Sequence, residues 1–384
     1  VQRLADARGV RAALRALGLV LAASLVGTAA FGSTDTFDNP APVWFYVWFW
    51  VGLVPASLLF GPVWRLLNPL RTLTALLARI SGARRDEGCP DIPPWVGLWP
   101  AAVGLTVFVW LELVFQDPAR PMIVLIFVVL YGAANVVAAS FYGERWLAQG
   151  DGFEVYSTLL ASMSPLGRRA DGRLVVRNPL DGLAALPPAP GLVAVIAVLL
   201  GSTAFDGLTR TALWASLTQS QSALPNLLIG TTGLAGSIAF VAVTFVAAAR
   251  FSRRFMPDLP PVGLEQSFVH SLMPIVVGYT LAHYFSLLVF EGQNGYILAS
   301  DPFARGQNLF GTADWVINYT LVSTSAIALV QVAAIVIGHV VGVISAHDRA
   351  VVIFPRPSIT RGQYALLMVM VAYSVGGIAL LVGT

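Results

Sequence analysis

Apolar residues run along this chain in long, nearly unbroken stretches separated by short polar segments. A helix that crosses the hydrocarbon core of a bilayer needs about 20 mostly apolar residues. The pattern predicts nine such spans, at residues 12–31, 42–63, 94–115, 121–143, 189–206, 224–249, 266–290, 316–346 and 363–382. The fifth is short, and the eighth is long enough to leave the bilayer at its inner end. Two segments instead alternate leucines with polar residues at helical spacing and end in arginines. Residues 64–85 begin Trp64-Arg65-Leu66-Leu67-Asn68-Pro69, and residues 150–169 begin Gly150-Asp151-Gly152-Phe153-Glu154. Both are predicted to be amphipathic helices on the inner membrane face, inside cytoplasmic loops at 64–93 and 144–188. The fold class is therefore all-α: residues 1–384 as one polytopic helical membrane bundle.

Composition leads to the same class. Of 384 residues, 57% are hydrophobic and 11% charged, against about 25% charged in soluble domains. Mean hydropathy is +0.74. So little charge cannot cover a water-facing surface, which excludes a soluble enzyme, a nucleic-acid binder and a disordered scaffold. The lipid bilayer is the expected partner. All 23 basic residues are arginine. Without lysine there is no Schiff base and no P-loop lysine. Cys89 is the one cysteine, too few for an internal disulfide or an iron–sulfur ligand set.

The arginines also give an orientation. On the nine-span pattern 20 of the 23 fall in alternate loops, and only Arg120, Arg210 and Arg305 fall on the other side. Arginine-rich loops face the cytoplasm. The expectation is a multi-pass inner (plasma) membrane protein with a cytoplasmic N-terminus and an external C-terminus. No small-residue cleavage site followed by a soluble domain comes after residues 12–31, so they are read as a retained span rather than a signal peptide.

Ionisable residues inside spans are costly and are the default functional candidates. Glu112 falls near the outer end of the third span, Asp206 at the outer end of the fifth, and His283 about 10 Å below the outer boundary of the seventh. Arg210 is one helical turn from Asp206 and could pair with it. Carboxylates and an imidazole at one depth could hold a divalent metal or relay protons. Glu112, Asp206 and His283 are thus the candidate catalytic and metal-binding residues. A haem b needs two axial histidines at matching depth. His339 is the candidate cofactor-binding residue, although His283 and His339 differ in depth by several ångströms. Thr324, Gln331, Gly338 and Ser345 recur every seven residues along the eighth span and predict a helix–helix seam.

Five stretches resemble a family of bacterial, often actinobacterial, polytopic membrane proteins named fenitrothion hydrolases. They are residues 45–68, 150–167, 199–207, 274–293 and 331–350; the fourth carries Ala282-His283-Tyr284-Phe285 and the fifth Ala346-His347-Asp348-Arg349-Ala350. The resemblance implies hydrolysis of a phosphoester-like substrate. Three readings follow. One is a metal-assisted membrane hydrolase with an outer-leaflet site at Asp206, Glu112 and His283. Another is an ion- or proton-coupled transporter using the same groups. The third is a membrane subunit of a larger redox or metal-handling complex.

Overall fold

The computed structural model describes residue 2 and residues 6–80, 89–169, 171–255 and 263–382. Arg3, Arg84 and Arg85, and positions 81–85 of the first amphipathic segment, lie outside the described residues. The principal elements are α1 (Arg8–Phe31), α2 (Pro40–Phe60), α3 (Val63–Leu67), α4 (Pro69–Ile80), α5 (Trp99–Leu113), α6 (Pro121–Tyr142) and α7 (Gly152–Ala161). A short hairpin of β1 (Leu166–Arg168) and β2 (Leu174–Val176) comes next, then α8 (Leu192–Thr209), α9 (Ala223–Ser252), α10 (Met273–Ala299), α11 (Thr324–Ile353) and α12 (Ile359–Val382). The protein is all-α apart from that hairpin, among the described residues.

Eight helices among the described residues are long and apolar enough to cross a membrane. The third expected span, 94–115, is the exception. It forms α5, of 15 residues, or about 22 Å of helix, well short of a bilayer core of about 30 Å. Pro100 sits in its first turn, and the chain turns away after Leu113. The eighth span starts later than expected: residues 316–323 are loop, and the helix runs from Thr324 to Ile353.

The chain falls into two compact units: residues 1–96, 117–177 and 286–323 form one, and residues 97–116, 178–285 and 324–384 the other. In the first unit the core is aromatic. Residues 44–51 of α2 form a π-helical stretch, Trp-Phe-Tyr-Val-Trp-Phe-Trp-Val. Phe49 packs on Trp64 at 4.5 Å and on Phe153 at 4.9 Å between ring centroids, and Trp50 on Tyr156 at 4.7 Å. The Trp44 and Trp48 indoles donate to the carbonyls of Gly295 and Gly292.

The second amphipathic segment is corrected in two ways. The helix ends at Ala161, and residues 166–168 are a strand. Ser164-Pro165 intervenes, and a residue before proline is pushed out of the helical region. Moreover, α7 is buried on every face, with only Thr158 exposed. Phe153, Val155, Tyr156, Leu159 and Leu160 surround it with apolar surface, and such a helix belongs in a core. By contrast α4 is amphipathic: it buries Leu70, Arg71 and Thr74 and exposes Leu73, Leu76, Leu77 and Ile80.

In the second unit α8 is the central helix, apolar all round and buried from Val195 to Thr203. Glycines let its neighbours approach closely. A Cβ at Gly201 would lie 2.7 Å from the Ile238 Cα of α9. Gly278 of α10 and Gly338 of α11 meet backbone to backbone, and a Cβ on either would come within 2.4 Å of a carbonyl oxygen opposite. The predicted seven-residue seam on α11 is buried at Gly338 and Ser345, whereas Thr324 is exposed.

Candidate functional site

Asp206 and His283 meet inside the second unit. Asp206 lies in the last turn of α8, and His283 lies mid-way along α10. His283 Nε2 donates to Asp206 Oδ2 at 2.6 Å. Both residues are buried, each 8% exposed. The carboxylate has two further partners. Arg210, at the C-cap of α8, donates from NH2 to Oδ1 at 3.4 Å, and the Tyr284 hydroxyl lies 3.5 Å from Oδ2. The helical phase explains the meeting. A 3.6-residue period puts Tyr279 and His283 on one stripe of α10, and the imidazole ring stands edge-on to Tyr284 at 4.8 Å. Arg210 points toward solvent, with 55% of its side chain exposed.

Glu112 takes no part in these hydrogen bonds. It is the penultimate residue of α5, and its Oε2 is buried with no hydrogen-bond partner. The Tyr279 hydroxyl is likewise buried and unpartnered, and a Cβ placed on Gly207 would lie 3.1 Å from it. Among the described residues no group of three or more His, Cys, Asp or Glu side chains converges in a way that could hold a metal ion. Asp206 and His283 supply two such ligands, one fewer than the three protein ligands of a catalytic zinc site.

The other histidines are engaged elsewhere. His339 Nδ1 lies 2.8 Å from the Ser374 hydroxyl, and His347 Nδ1 lies 3.2 Å from Gln363 Oε1. His270 is buried at the start of the segment that leads into α10. A hydroxyl partner holds the His339 ring between α11 and α12, the bonding of a packed polar residue.

The first unit holds a second polar cluster that sequence reasoning missed. Asp151 and Glu154, at the start of α7, are 0% and 1% exposed. Asp151 caps α7 by accepting from Phe153 N, and also accepts from the Tyr131 hydroxyl at 2.7 Å, Asn68 Nδ2 at 2.8 Å and Trp64 Nε1 at 3.1 Å. Glu154 accepts from both Arg71 Nε, at 2.6 Å, and Arg71 NH2. Glu144 lies 3.7 Å from the same guanidinium. Burial pushes the Asp151 carboxyl up to about 6, against the pull of its hydrogen bonds. Burial also works against the charge of Arg71, but Glu154 outweighs it and holds the guanidinium above its ordinary value. The available signal was the rarity of charge along the chain, 11% of residues, against which Arg71, Asp151 and Glu154 stand out.

Comparison with protein-family models, curated proteins and solved structures gave no match to this chain.

Proposed function

We propose that the chain is a multi-pass protein of the bacterial inner membrane and a proton-coupled transporter, with the Asp206–His283 pair as its proton-exchanging site. The observation that carries this reading is the buried hydrogen bond of 2.6 Å between a carboxylate and an imidazole on two span-length apolar helices. Intramembrane ionisable pairs of this kind mark ion and proton pathways, and histidine changes charge near neutral pH. On the nine-span pattern, in which the short α5 also crosses, the arginine distribution supports a cytoplasmic N-terminus, an external C-terminus and a pair toward the outer leaflet. Arg210 at the exposed edge gives the site a route to water.

The test is proton flux. Purified protein is reconstituted into vesicles that enclose a pH-sensitive dye, and a membrane potential is imposed. The wild type should acidify the lumen; Asp206→Asn and His283→Ala should not. Wild-type vesicles no leakier than protein-free ones would sink the reading.

The same pair favours a second reading, a hydrolase of the fenitrothion hydrolase type. A carboxylate that orients an imidazole is the supporting half of a general base, and a water on the other ring nitrogen could be activated against a phosphoester. Release of the phenol from a dialkyl aryl phosphate by the wild type, lost in His283→Ala and insensitive to the membrane potential, would favour hydrolysis over transport.

A further inference from the structure

Among the described residues of the second unit, four buried side-chain polar atoms have no hydrogen-bond partner, and two of them, Glu112 Oε2 and the Tyr279 hydroxyl, lie on helices that pack around Asp206. Tyr279 is 4% exposed. A Cβ on Gly207, next to Asp206, would lie 3.1 Å from the Tyr279 hydroxyl, and α5 starts beside α8, where Leu98 N donates to the Pro190 carbonyl at 2.7 Å, so Glu112 near the end of α5 comes level with the last turn of α8. Buried polar atoms are nearly always satisfied, and each exception calls for a cause. Two around one carboxylate call for a common cause.

Charge counting supplies one. Among the described residues, the ionisable groups placed around Asp206 include Glu112, Arg210, Tyr279 and His283, with the Tyr284 hydroxyl at 3.5 Å. With the imidazole neutral and both carboxyls ionised, two negative charges stand against the one of Arg210. An unpaired ionised carboxylate in an apolar site is strongly disfavoured. One added proton, on Glu112 or on His283, makes the group neutral.

We propose that Glu112 is a second proton-binding carboxyl of this site, and that one exchangeable proton is shared between Glu112 and the Asp206–His283 pair. The proposal rests on the reading of that pair as the proton-exchanging site. In one form Glu112 is a neutral acid and the imidazole is neutral. In the other the proton has left the Glu112 oxygen for the free ring nitrogen of His283, and Asp206 holds the imidazolium. The transfer moves one proton and leaves the net charge of the group unchanged. The unpartnered Tyr279 hydroxyl, which can both donate and accept, is a further polar group of the same site.

Infrared spectroscopy of the full chain in vesicles tests this without requiring a transported solute. A protonated carboxyl has a C=O stretch well separated from that of a carboxylate. The expected result at neutral pH is a carboxylic-acid band that glutamate-specific ¹³C labelling shifts and that Glu112→Gln removes. Labelling works on the unmutated protein, so a poorly folding variant leaves the test intact. The same vesicles should show proton flux about tenfold lower for Glu112→Gln than for wild type, a tenfold change marking a moderate loss of barrier stabilisation. An identical acid band in wild type and Glu112→Gln, or no glutamate-labelled band at all, overturns the proposal. If flux is still lost in Asp206→Asn in that case, the Asp206–His283 reading stands alone. If wild type shows the Glu112 band but no flux, the transport reading falls and the proton-binding carboxyl stands.

Discussion

Arg71 holds Glu154 through a two-pronged contact, Nε to Oε2 at 2.6 Å and NH2 to Oε1, with Glu154 1% exposed. The pair ties α4 to the buried helix α7. Asn68 joins it by donating to Glu154 Oε2 at 3.1 Å as well as to Asp151. A planar guanidinium meets a carboxylate edge to edge in a way an ammonium cannot.

Removing one partner of this pair should cost far more than removing both. Arg71→Met leaves a buried carboxylate with only the exposed Arg65, 4.0 Å away, as a cation, a loss of about 3–5 kcal/mol. The double substitution Arg71→Met/Glu154→Met replaces the pair with apolar volume and should recover most of that. Apparent melting temperatures in one detergent are the readout. A double variant as unstable as Arg71→Met would show that the pair itself, rather than the stranded charge, sets the stability.

Asp151 predicts a pH dependence. Its carboxyl titrates near 6 in the folded protein, against an ordinary value of 3.8, so the folded state binds the proton more tightly than the unfolded state. Its stabilising contribution is complete below about pH 4 and fades as pH rises toward 6, by at most about 3 kcal/mol. Stability should therefore fall across that window, and Asp151→Asn should flatten the slope. Equilibrium unfolding at several pH values between 4 and 7 checks the sign; stability that rises through this window in wild type, but not in Asp151→Asn, would contradict it.

Most span-length helices were legible because lipid-facing surface requires long apolar runs, and eight helices meet that requirement. That Asp206 and His283 share the outer leaflet was an expectation from the sequence, but their direct hydrogen bond was not, because the expected depths differed by about 10 Å. Two further features were not legible. The depth of α7 was hidden because its apolar residues, spaced for one face, in fact cover the whole helix once Asp151 and Glu154 find internal partners. The shortness of α5 was hidden because Pro94, Trp95 and Val96 extend the apolar run without extending the helix, which begins at Trp99.

Gly338 and Gly278 make a further test of packing. A Cβ on Gly338 would lie 2.4 Å from the Pro274 oxygen and 3.1 Å from the Gly278 Cα. The obstacle is backbone, so α10 and α11 must separate to admit a methyl group. Gly338→Ala should destabilise by about 1–3 kcal/mol, the usual cost of overpacking. Gly376→Ala, where an added Cβ meets nothing within 4 Å, is the control. Equal melting temperatures for the two variants would refute the close crossing.

The Arg210 and His283 partners of Asp206 should differ sharply in what they contribute. Arg210 reaches it at 3.4 Å with 55% of its side chain exposed. Water screens such a contact, and exposed ion pairs are typically worth under about 1 kcal/mol. His283 contacts it at 2.6 Å from a side chain 4% exposed. His283→Ala leaves both a cavity and a buried carboxylate that has lost its closest donor, so a loss of about 2–4 kcal/mol is expected. Arg210→Gln should shift the melting temperature little, and what shift there is should vanish in high salt. The His283→Ala deficit should persist in salt and shrink in the double variant Asp206→Asn/His283→Ala, because the stranded charge is gone. A deficit that salt abolishes in His283→Ala would mean that water reaches this carboxylate freely, and a site open to water could not hold a proton apart from it.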